Sequence, residues 1–298
     1  MSIVVSGVTG WMGQSLCRIV KDGSLPFHIG DLIGLTSRLN QQTLTNSINL
    51  EDFSKDPFEH EVEGFVHLAF LTRDKVSKMP LDEYVRINRE IIARAIQIIH
   101  YSKPKWVALV SSGAVFSRES DFTEFESSIL DNPYGFLKIE EEKEITDAAR
   151  EVGSNLAIGR LWGATGRDLP IDAKYAISDF IQSAMQKKRI ELKSEHQVFR
   201  RYCDASEFMN VLINSAIRGR SQVFNSGGPL VELEELAIEI ASQVGECEIN
   251  RNLRPGANPD NYFPKDDSYE TLAESLGVAT SGLSAQVSRT ISGHTLAI

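Results

Sequence analysis

The chain of 298 residues predicts a doubly wound α/β fold, in which helices cover both faces of a mainly parallel sheet. Short apolar runs rich in valine, isoleucine and leucine alternate with segments of helical periodicity, as in parallel strands joined by helices. A strand, a glycine-rich turn and a helix follow one another at the N-terminus. The alternation loosens beyond Gly163, which predicts a smaller carboxyl-terminal lobe.

The N-terminal stretch carries the clearest functional signal. The apolar run 3–5 predicts a buried strand, and three glycines follow it at a spacing of three. In a strand–turn–helix, one glycine permits the tight turn, another lets backbone N–H groups approach a pyrophosphate, and the third lets the helix pack on the strand. The helix N-terminus adds a partial positive charge. We therefore predict a Rossmann-type dinucleotide site that includes Gly7, Gly10, Trp11, Met12 and Gly13.

The second predicted strand, 32–35, ends in Thr36-Ser37-Arg38. A carboxylate at this strand end would bind the ribose hydroxyls of NAD, whereas an arginine suits the additional phosphate of NADP. The tip has no acidic residue, and Arg38 offers planar, bidentate donors beside the Ser37 hydroxyl. We therefore expect NADP as the cofactor, with NAD as the alternative. A solvated loop arginine is the competing interpretation.

The remaining elements complete the alternation. Strands are predicted at 44–50, 65–70, 106–110 and 156–161, and helices at 51–60, at 84–100 and from Asn132-Pro133 onward. Beyond them we predict helices at 176–187 and 233–244, short strands at 190–192 and 223–225, and a loop over 250–265. We expect a dinucleotide-binding domain over 1–162, to which a strand near 198–226 returns, and a substrate lobe formed by 163–197 and 227–298. A cleft between the lobes would hold the substrate.

Polar residues mark the predicted carboxyl edge of the sheet. His67 lies within an apolar strand and is interpreted as a core histidine, and Asn88 on the next helix would be a buried amide that needs partners. Asn132-Pro133 has the form of a helix N-cap with proline in the first position. The spacing of four places Tyr134 and Lys138 on one face of that helix, one turn apart.

The chain resembles the extended short-chain dehydrogenase/reductases, specifically the branch of nucleotide-sugar epimerases, dehydratases and reductases. The motifs that carry the resemblance are Gly7-x-x-Gly10-x-x-Gly13, His67-Leu68-Ala69, Ser111-Ser112, Tyr134-x-x-x-Lys138, Arg200-Arg201-Tyr202 and Asn225-Ser226-Gly227. Each motif is weak alone, but together they follow the family's order along nearly the whole chain. The resemblance implies catalysis by Ser112, Tyr134 and Lys138, cofactor contacts at Leu68, Ala69, Asn88, Tyr134 and Lys138, and substrate contacts from Ser112 and Arg200.

The implied catalytic residues form a coherent chemical set. Hydride transfer to a carbonyl leaves an alkoxide, so a proton must arrive as negative charge develops. The hydroxyl of Tyr134, with an ordinary pKa of about 10, suits neutral pH only if a cation lowers that pKa. Lys138 can supply the cation and reach the nicotinamide ribose, while Ser112 can polarise the carbonyl by a hydrogen bond. Alignment with the family favours Ser112 over Ser111.

Departures from the family narrow the reaction. Gly113-Ala114 stands where 4,6-dehydratases carry an Asp-Glu pair and where 3,5-epimerase-reductases carry a cysteine, and Gly163 replaces the usual asparagine near Arg160. We expect NADPH-dependent reduction of a nucleotide-linked 4-keto-6-deoxy sugar, with Tyr134 as proton donor. The alternatives are 4-epimerisation with tightly bound NAD, a non-catalytic NADP-binding sensor, and reduction of a non-nucleotide carbonyl. Arg200 in the cleft would favour a diphosphate, whose oxygens suit a bidentate arginine.

Composition and charge exclude several other classes of protein. The formal net charge is −10 and no basic run is present, unlike a duplex nucleic-acid binder. The three cysteines, Cys17, Cys203 and Cys247, lie far apart in no metal-ligand spacing, which fits a reducing compartment. An immediate N-terminal strand leaves no room for a signal peptide, and no apolar run approaches membrane-spanning length. We expect a cytoplasmic enzyme without a metal or a membrane or nucleic-acid partner. The resemblance implies a homodimer formed through the helices that contain Asn88 and Tyr134.

Overall fold

The computed structural model describes residues 2–37, 48–53, 62–116, 128–173, 175–219, 221–265 and 267–295. Arg38 and residues 54–60 of the expected acidic helix lie outside the described residues. The chain divides into a first unit, Met1–Leu161 with Phe208–Phe224, and a second unit, Trp162–Glu207 with Asn225–Ile298.

The chain alternates strands and helices through most of its length. The strands are β1 (Ser2–Ser6), β2 (Leu32–Thr36), β3 (Asn49–Asp52), β4 (Val62–His67), β5 (Trp106–Ser112), β6 (Asn155–Leu161), β7 (Ala164–Thr165), β8 (Arg189–Leu192), β9 (Val198–Arg201), β10 (Cys203–Asp204), β11 (Gln222–Asn225), β12 (Leu230–Glu232), β13 (Glu248–Arg251) and β14 (Asp260–Asn261). The helices are α1 (Trp11–Lys21), α2 (Leu81–Ser102), α3 (Pro133–Val152), α4 (Ala176–Lys187), α5 (Ala205–Ile217), α6 (Leu233–Val244), α7 (Ser268–Leu276) and α8 (Leu283–Thr295).

A seven-stranded sheet forms the centre of the first unit, in the order β11-β6-β5-β4-β1-β2-β3. The pairs from β3 across to β6 are parallel, which confirms the predicted doubly wound α/β fold. The chain runs outward from β1 to β2 and β3, then returns to β4 on the other side of β1. Ligands of such sheets bind at the carboxyl ends of the strands where the order reverses. This edge is therefore the place to look for a site.

Apolar residues explain why the sheet is covered on both faces. The buried side chains of α2 and α3 pack with those of β4, β5 and β6 in one core cluster. Ile158 of β6 belongs to that cluster, and the next residue, Gly159, faces the opposite way because side chains alternate along a strand. On that opposite face Phe208 of α5 approaches Gly159 so closely that a Cβ there would lie 2.6 Å from its ring. A glycine in this strand thus makes room for a helix.

Several expected boundaries were wrong. Glu51 and Asp52 belong to β3, not to a helix, because β3 pairs with β2 and places Asp52 opposite Thr36. Sheet pairing here overrides the local acidic composition. The expected loop 250–265 contains the end of β13 and all of β14.

The second unit is built from small sheets and helices. Its sheets have the orders β12-β9-β14, β13-β8 and β10-β7, and α4 packs against α6. The helix α8 is tied to β7 by polar contacts, since the Thr165 hydroxyl donates to Gln286 Oε1 at 2.7 Å and the Gly166 N–H donates to the Thr290 hydroxyl at 2.9 Å. Within the described ranges, every helix is too short or too polar to cross a membrane.

Candidate active site

The glycine turn between β1 and α1 has the geometry of an anion-binding loop. Gly7 has a φ of 72°, and a Cβ there would lie 2.7 Å from the Ala69 nitrogen. A Cβ at Gly13 would collide with the Val8 carbonyl, whereas Gly10 caps the helix without a side chain. The first turn of α1 contains no acidic residue. Its backbone N–H groups and helix dipole therefore suit a pyrophosphate.

The carboxyl ends of β2 and β3 form the expected ribose end of this loop. The buried Thr36 lies 3.0 Å from the Thr9 hydroxyl between their Oγ1 atoms, and Ser37 is exposed. In the parallel register Asp52 stands opposite Thr36. Asp52 was not predicted as a site residue, because the acidic stretch 51–60 was expected to form a helix. The weak strand ending at Leu50 was the signal that could have placed a carboxylate at this edge.

The loop after β4 is held in place by α2. The Ser6 hydroxyl accepts from the Leu68 N–H at 3.2 Å, and Leu71 binds α2 through both backbone groups. Asn88 Oδ1 accepts from the Leu71 N–H at 2.8 Å, and the Tyr84 hydroxyl donates to the Leu71 carbonyl at 2.7 Å. Asn88 is fully buried and has found the partners a buried amide needs. Its direct cofactor contact, like those of Leu68 and Ala69, stays a prediction.

The start of α3 is locked to the turn that follows β5. The structure confirms Asn132 as the N-cap, because its Oδ1 accepts from the Gly135 N–H at 3.0 Å. Asn132 Nδ2 also donates to the Ala114 carbonyl at 2.9 Å, and the Ala114 N–H donates to the Ser112 hydroxyl at 3.2 Å. A Cβ at Gly135 would collide with the Ala114 carbonyl. These contacts fix Tyr134, the second residue of α3, relative to Ser112.

Tyr134 is hydrogen-bonded to Ser112, and its acidity is low. Burial raises the pKa of the Tyr134 hydroxyl to about 12, although the hydrogen bond from Ser112 acts in the opposite direction. The charge of Glu141 raises this pKa further, and that of Arg73 lowers it. Tyr134 is therefore protonated at neutral pH. A protonated phenol can donate a proton to an oxygen on which negative charge develops.

Lys138 lies one turn along α3 and is almost completely buried. Its Nζ donates to Glu141 Oε2 at 2.7 Å and to the Val110 carbonyl at 3.0 Å, and it lies 3.9 Å from the centre of the Phe70 ring. The expectation that Lys138 lowers the pKa of Tyr134 stays a prediction. Burial is the largest cause of the raised pKa of Tyr134, and the charge of Glu141 adds to it. Glu141 was not foreseen, although a glutamate three residues after a lysine shares its helix face.

Arg200 belongs to the second unit and already has an acidic partner. Its Nη2 lies 2.6 Å from Asp260 Oδ2, and its Nη1 donates to the carbonyls of Phe199 and Asp260. Gly163 is required nearby, because a Cβ would collide with the Arg201 carbonyl. The family's asparagine could not occupy this backbone without a shift. The substrate contact expected of Arg200 stays a prediction.

No group of three or more His, Cys, Asp or Glu residues could hold a metal ion within the part of the chain that the structure describes.

Comparisons with known proteins agree with the fold and the order of the motifs. A UDP-glucose 4-epimerase from Thermotoga maritima solved with UDP-glucose is 17% identical, with a TM-score of 0.77 and coverage of 100% of this chain and 99% of that one. A UDP-glucuronic acid 4-epimerase from Bacillus cereus solved with NAD is 15% identical, with a TM-score of 0.74 and coverage of 99% of both chains. A UDP-N-acetylglucosamine 4-epimerase from Methanobrevibacter ruminantium is 16% identical, with a TM-score of 0.76 and coverage of 100% and 99%.

These identities establish likeness of fold, and no curated protein matches the chain. A family model, by contrast, matches residues 3–226, which is most of the sequence and includes the glycine turn, Ser112, Tyr134 and Lys138. The chain belongs to the NAD dependent epimerase/dehydratase family.

Proposed function

We propose that the protein transfers a hydride at carbon 4 of a nucleotide-linked sugar, with Ser112, Tyr134 and Lys138 as its catalytic residues. The hydrogen bond between Ser112 and Tyr134 at the carboxyl end of β5 carries the proposal. This end belongs to the sheet edge at which doubly wound folds bind ligands. Membership of a family of NAD-dependent enzymes supports the assignment.

The three side chains divide the work of reduction. Nicotinamide, when bound, supplies the hydride that adds to the carbonyl carbon. The protonated hydroxyl of Tyr134 gives its proton to the oxygen as the carbonyl bond opens, and solvent reprotonates the phenolate. Ser112, held by the Ala114 N–H, hydrogen-bonds the same oxygen as charge develops. Lys138 binds the cofactor ribose.

Net reduction of a 4-keto-6-deoxy sugar with NADPH is the first candidate. Gly113-Ala114 after Ser112 supplies neither the acid pair of an elimination nor a cysteine for adjacent epimerisation. Arg38 after β2 offers a bidentate partner for the phosphate that distinguishes NADP from NAD.

4-Epimerisation with tightly bound NAD is the second candidate, and Asp52 favours it. This carboxylate stands opposite Thr36 at the sheet edge, where an acidic residue would bind ribose hydroxyls. The similar solved structures include UDP-sugar 4-epimerases, one of them in complex with NAD.

A panel of nucleotide-linked hexoses and 4-keto sugars, incubated with NADH and NADPH, separates the two candidates. The reductase predicts that absorbance of the reduced nicotinamide falls in step with product. An epimerase would be purified with dinucleotide and would convert a nucleotide hexose without net absorbance change. No conversion of any nucleotide sugar, with turnover of simple carbonyls, would contradict both.

The choice of cofactor can be tested by two charge changes. Arg38→Ala should weaken binding of NADPH and leave NADH unchanged, because the guanidinium would pair with the phosphate that NADH lacks. Asp52→Asn should weaken NADH selectively if the carboxylate binds ribose. Isothermal titration with both cofactors measures each effect, and equal weakening of both cofactors by Arg38→Ala would reject the NADPH assignment.

We further propose that the protein acts in the cytoplasm as a homodimer formed through α2 and α3. These helices pack side by side and are joined by the exposed Arg89–Glu140 pair, with a Nε–Oε1 distance of 2.7 Å. Sedimentation velocity over a range of concentrations tests the dimer. A monomer at every concentration would reject it.

A further inference from the structure

The loop after β4 carries a charged turn that is held beside Tyr134. The Phe70 ring meets the Tyr134 ring edge to face, with 5.8 Å between the ring centres and an interplanar angle of 75°. Leu71, the next residue, is hydrogen-bonded to α2 through both its N–H and its carbonyl. A short 3₁₀ helix, Arg73–Lys75, follows directly. Arg73 therefore belongs to a loop that is fixed against Tyr134.

The other charges of this turn are paired with one another. The carboxylate of Asp74 accepts from the Thr72 hydroxyl at 2.5 Å. It also lies 3.1 Å from Lys75 Nζ and 3.0 Å from Lys78 Nζ. The side chain of Arg73 is exposed and pairs with none of the residues that the structure describes. Both lysines thus have a carboxylate close by, whereas Arg73 is a cation without one among those residues.

The guanidinium of Arg73 acts on the phenol of Tyr134. Burial raises the pKa of Tyr134, and the positive charge of Arg73 opposes this shift. A guanidinium is planar, and its N–H groups form a fork that binds both oxygens of a carboxylate or two oxygens of a phosphate. An anionic group bound to Arg73 would therefore lie near the oxygen to which Tyr134 gives its proton.

The chemistry of a nucleotide-linked sugar narrows the choice of that anionic group. The diphosphate is attached to carbon 1, which lies across the pyranose ring from carbon 4. Carbon 5 is bonded to carbon 4 and carries carbon 6, so a substituent at carbon 6 lies beside the reacting oxygen. A carboxylate at carbon 6 is therefore the anionic group that suits a cation in this place.

We propose that Arg73 determines substrate specificity by binding the carboxylate at carbon 6 of a nucleotide-linked hexuronate. The inference rests on the proposed hydride transfer at carbon 4 beside Tyr134. Two parallel N–H···O bonds to the carboxylate would orient the sugar with carbon 4 toward the phenol. A 6-deoxy sugar has a methyl group at this position and offers Arg73 no partner. Arg73 thus favours 4-epimerisation of a hexuronate over reduction of a 4-keto-6-deoxy sugar.

Two nucleotide sugars that differ only at carbon 6 test the proposal. UDP-glucuronate carries the carboxylate, and UDP-glucose carries a hydroxymethyl group in its place. Isothermal titration of the wild-type protein with NAD present should show tighter binding of UDP-glucuronate, because hydrogen bonds between charged groups are the stronger ones. Arg73→Gln should weaken binding of UDP-glucuronate about 10- to 100-fold and change binding of UDP-glucose less than about twofold. Equal binding of both sugars by the wild-type protein, or equal weakening of both in Arg73→Gln, overturns the inference.

Two further variants control for loss of charge and for loss of shape. Lys75→Gln removes the same charge from the same turn, but Lys75 already has Asp74 as its partner, so binding of both sugars should stay at the wild-type level. Arg73→Lys keeps the charge and loses the planar fork, so it should recover only part of the affinity for UDP-glucuronate. The exposed position of Arg73 predicts that its variants fold, which circular dichroism checks. Weaker binding of NAD, rather than of the sugar, in Arg73→Gln would assign the anion to the cofactor and would also overturn the inference.

Binding separates this inference from the function on which it rests. The titrations need no turnover, whereas Tyr134→Phe tests the proposed hydride transfer. If Tyr134→Phe retains full turnover, the proposed function fails, and the titrations still report whether Arg73 selects the carboxylate. If Tyr134→Phe is inactive but Arg73→Gln binds both sugars as the wild-type protein does, only the role of Arg73 is lost.

Discussion

Both units bury a glutamate beside a basic residue, but the two glutamates are satisfied to different degrees. The side chains of Lys138 and Glu141 are 6% and 0% exposed, and those of Arg251 and Glu232 in the second unit are 5% and 8% exposed. Both oxygens of Glu232 accept from Arg251, at 2.7 and 2.8 Å, and backbone N–H groups complete the set. Glu141 has one oxygen without a hydrogen bond to the described residues.

The contrast separates an ion pair with a structural role from an ion pair that lies beside the proposed catalytic residue Tyr134. Arg251 of β13 binds Glu232, which lies at the end of β12 and the start of α6. This ion pair therefore has a structural role, because it holds the three elements together. Lys138 and Glu141 lie on the same helix as Tyr134, whose pKa is raised by burial and, in part, by the charge of Glu141. Buried polar groups are left without hydrogen-bond partners most often at functional sites. Glu141, whose Oε1 has no hydrogen bond to the described residues, is the glutamate that lies beside the proposed catalytic residues.

Removal of each carboxylate tests the comparison, because the two substitutions should reduce the free energy of unfolding by different amounts. Glu232→Gln leaves Arg251 buried without its main partner and should lower the free energy of unfolding by about 3–5 kcal/mol. Glu141→Gln should cost less, because Lys138 keeps the Val110 carbonyl and the Phe70 ring. Urea unfolding of both variants measures the difference. An equal or larger loss in Glu141→Gln would make its pair structural.

Acid should weaken the ion pair between Glu232 and Arg251 in a defined pH window. Burial alone would raise the pKa of Glu232, but Arg251 and the N–H groups of Val198 and Glu234 lower it to about 2. A depressed pKa in the folded state contributes stability above the ordinary pKa of about 4.3, and that stability is lost as pH falls toward 2. The wild-type protein should therefore lose more stability than Glu232→Gln across this window. Parallel slopes in urea unfolding at each pH would contradict the assignment.

A smaller effect should follow when the hydrogen bonds of Asn132 that fix Tyr134 relative to Ser112 are weakened. Asn132→Asp keeps the acceptor that caps α3 but loses the donor to the Ala114 carbonyl. Loss of one net hydrogen bond should cost about 0.5–1.5 kcal/mol of stability, with a fall in kcat because Tyr134 is less well placed. Asn132→Ala also removes the cap and should cost more stability. Thermal melting measures the stability of the two variants, and steady-state kinetics measures their kcat. An unchanged kcat in both variants would show that the hydrogen bonds of Asn132 do not affect catalysis.

Sequence patterns predicted the parts of the molecule that depend on local chemistry. The glycine turn, the Asn132 cap and the bounds of α4 and α6 follow from residues close together in the chain. The meeting of Glu141 with His67 depends on the register of β4 against β1 and on how α3 packs, which local patterns do not contain. Asp52 was missed for the same reason, since only pairing with β2 reveals its strand. Long-range pairing thus decided the features that sequence reasoning missed.

Turnover of Tyr134→Phe tests the central claim most directly. With the nucleotide sugar that the wild-type protein converts, kcat should fall about 10²–10⁴-fold, the usual contribution of a positioned proton donor. Cofactor affinity should stay close to that of the wild type, because the phenol acts on the substrate oxygen. Tyr101→Phe on α2, an exposed tyrosine, is the matched control and should retain full activity. Wild-type turnover in Tyr134→Phe would contradict the account.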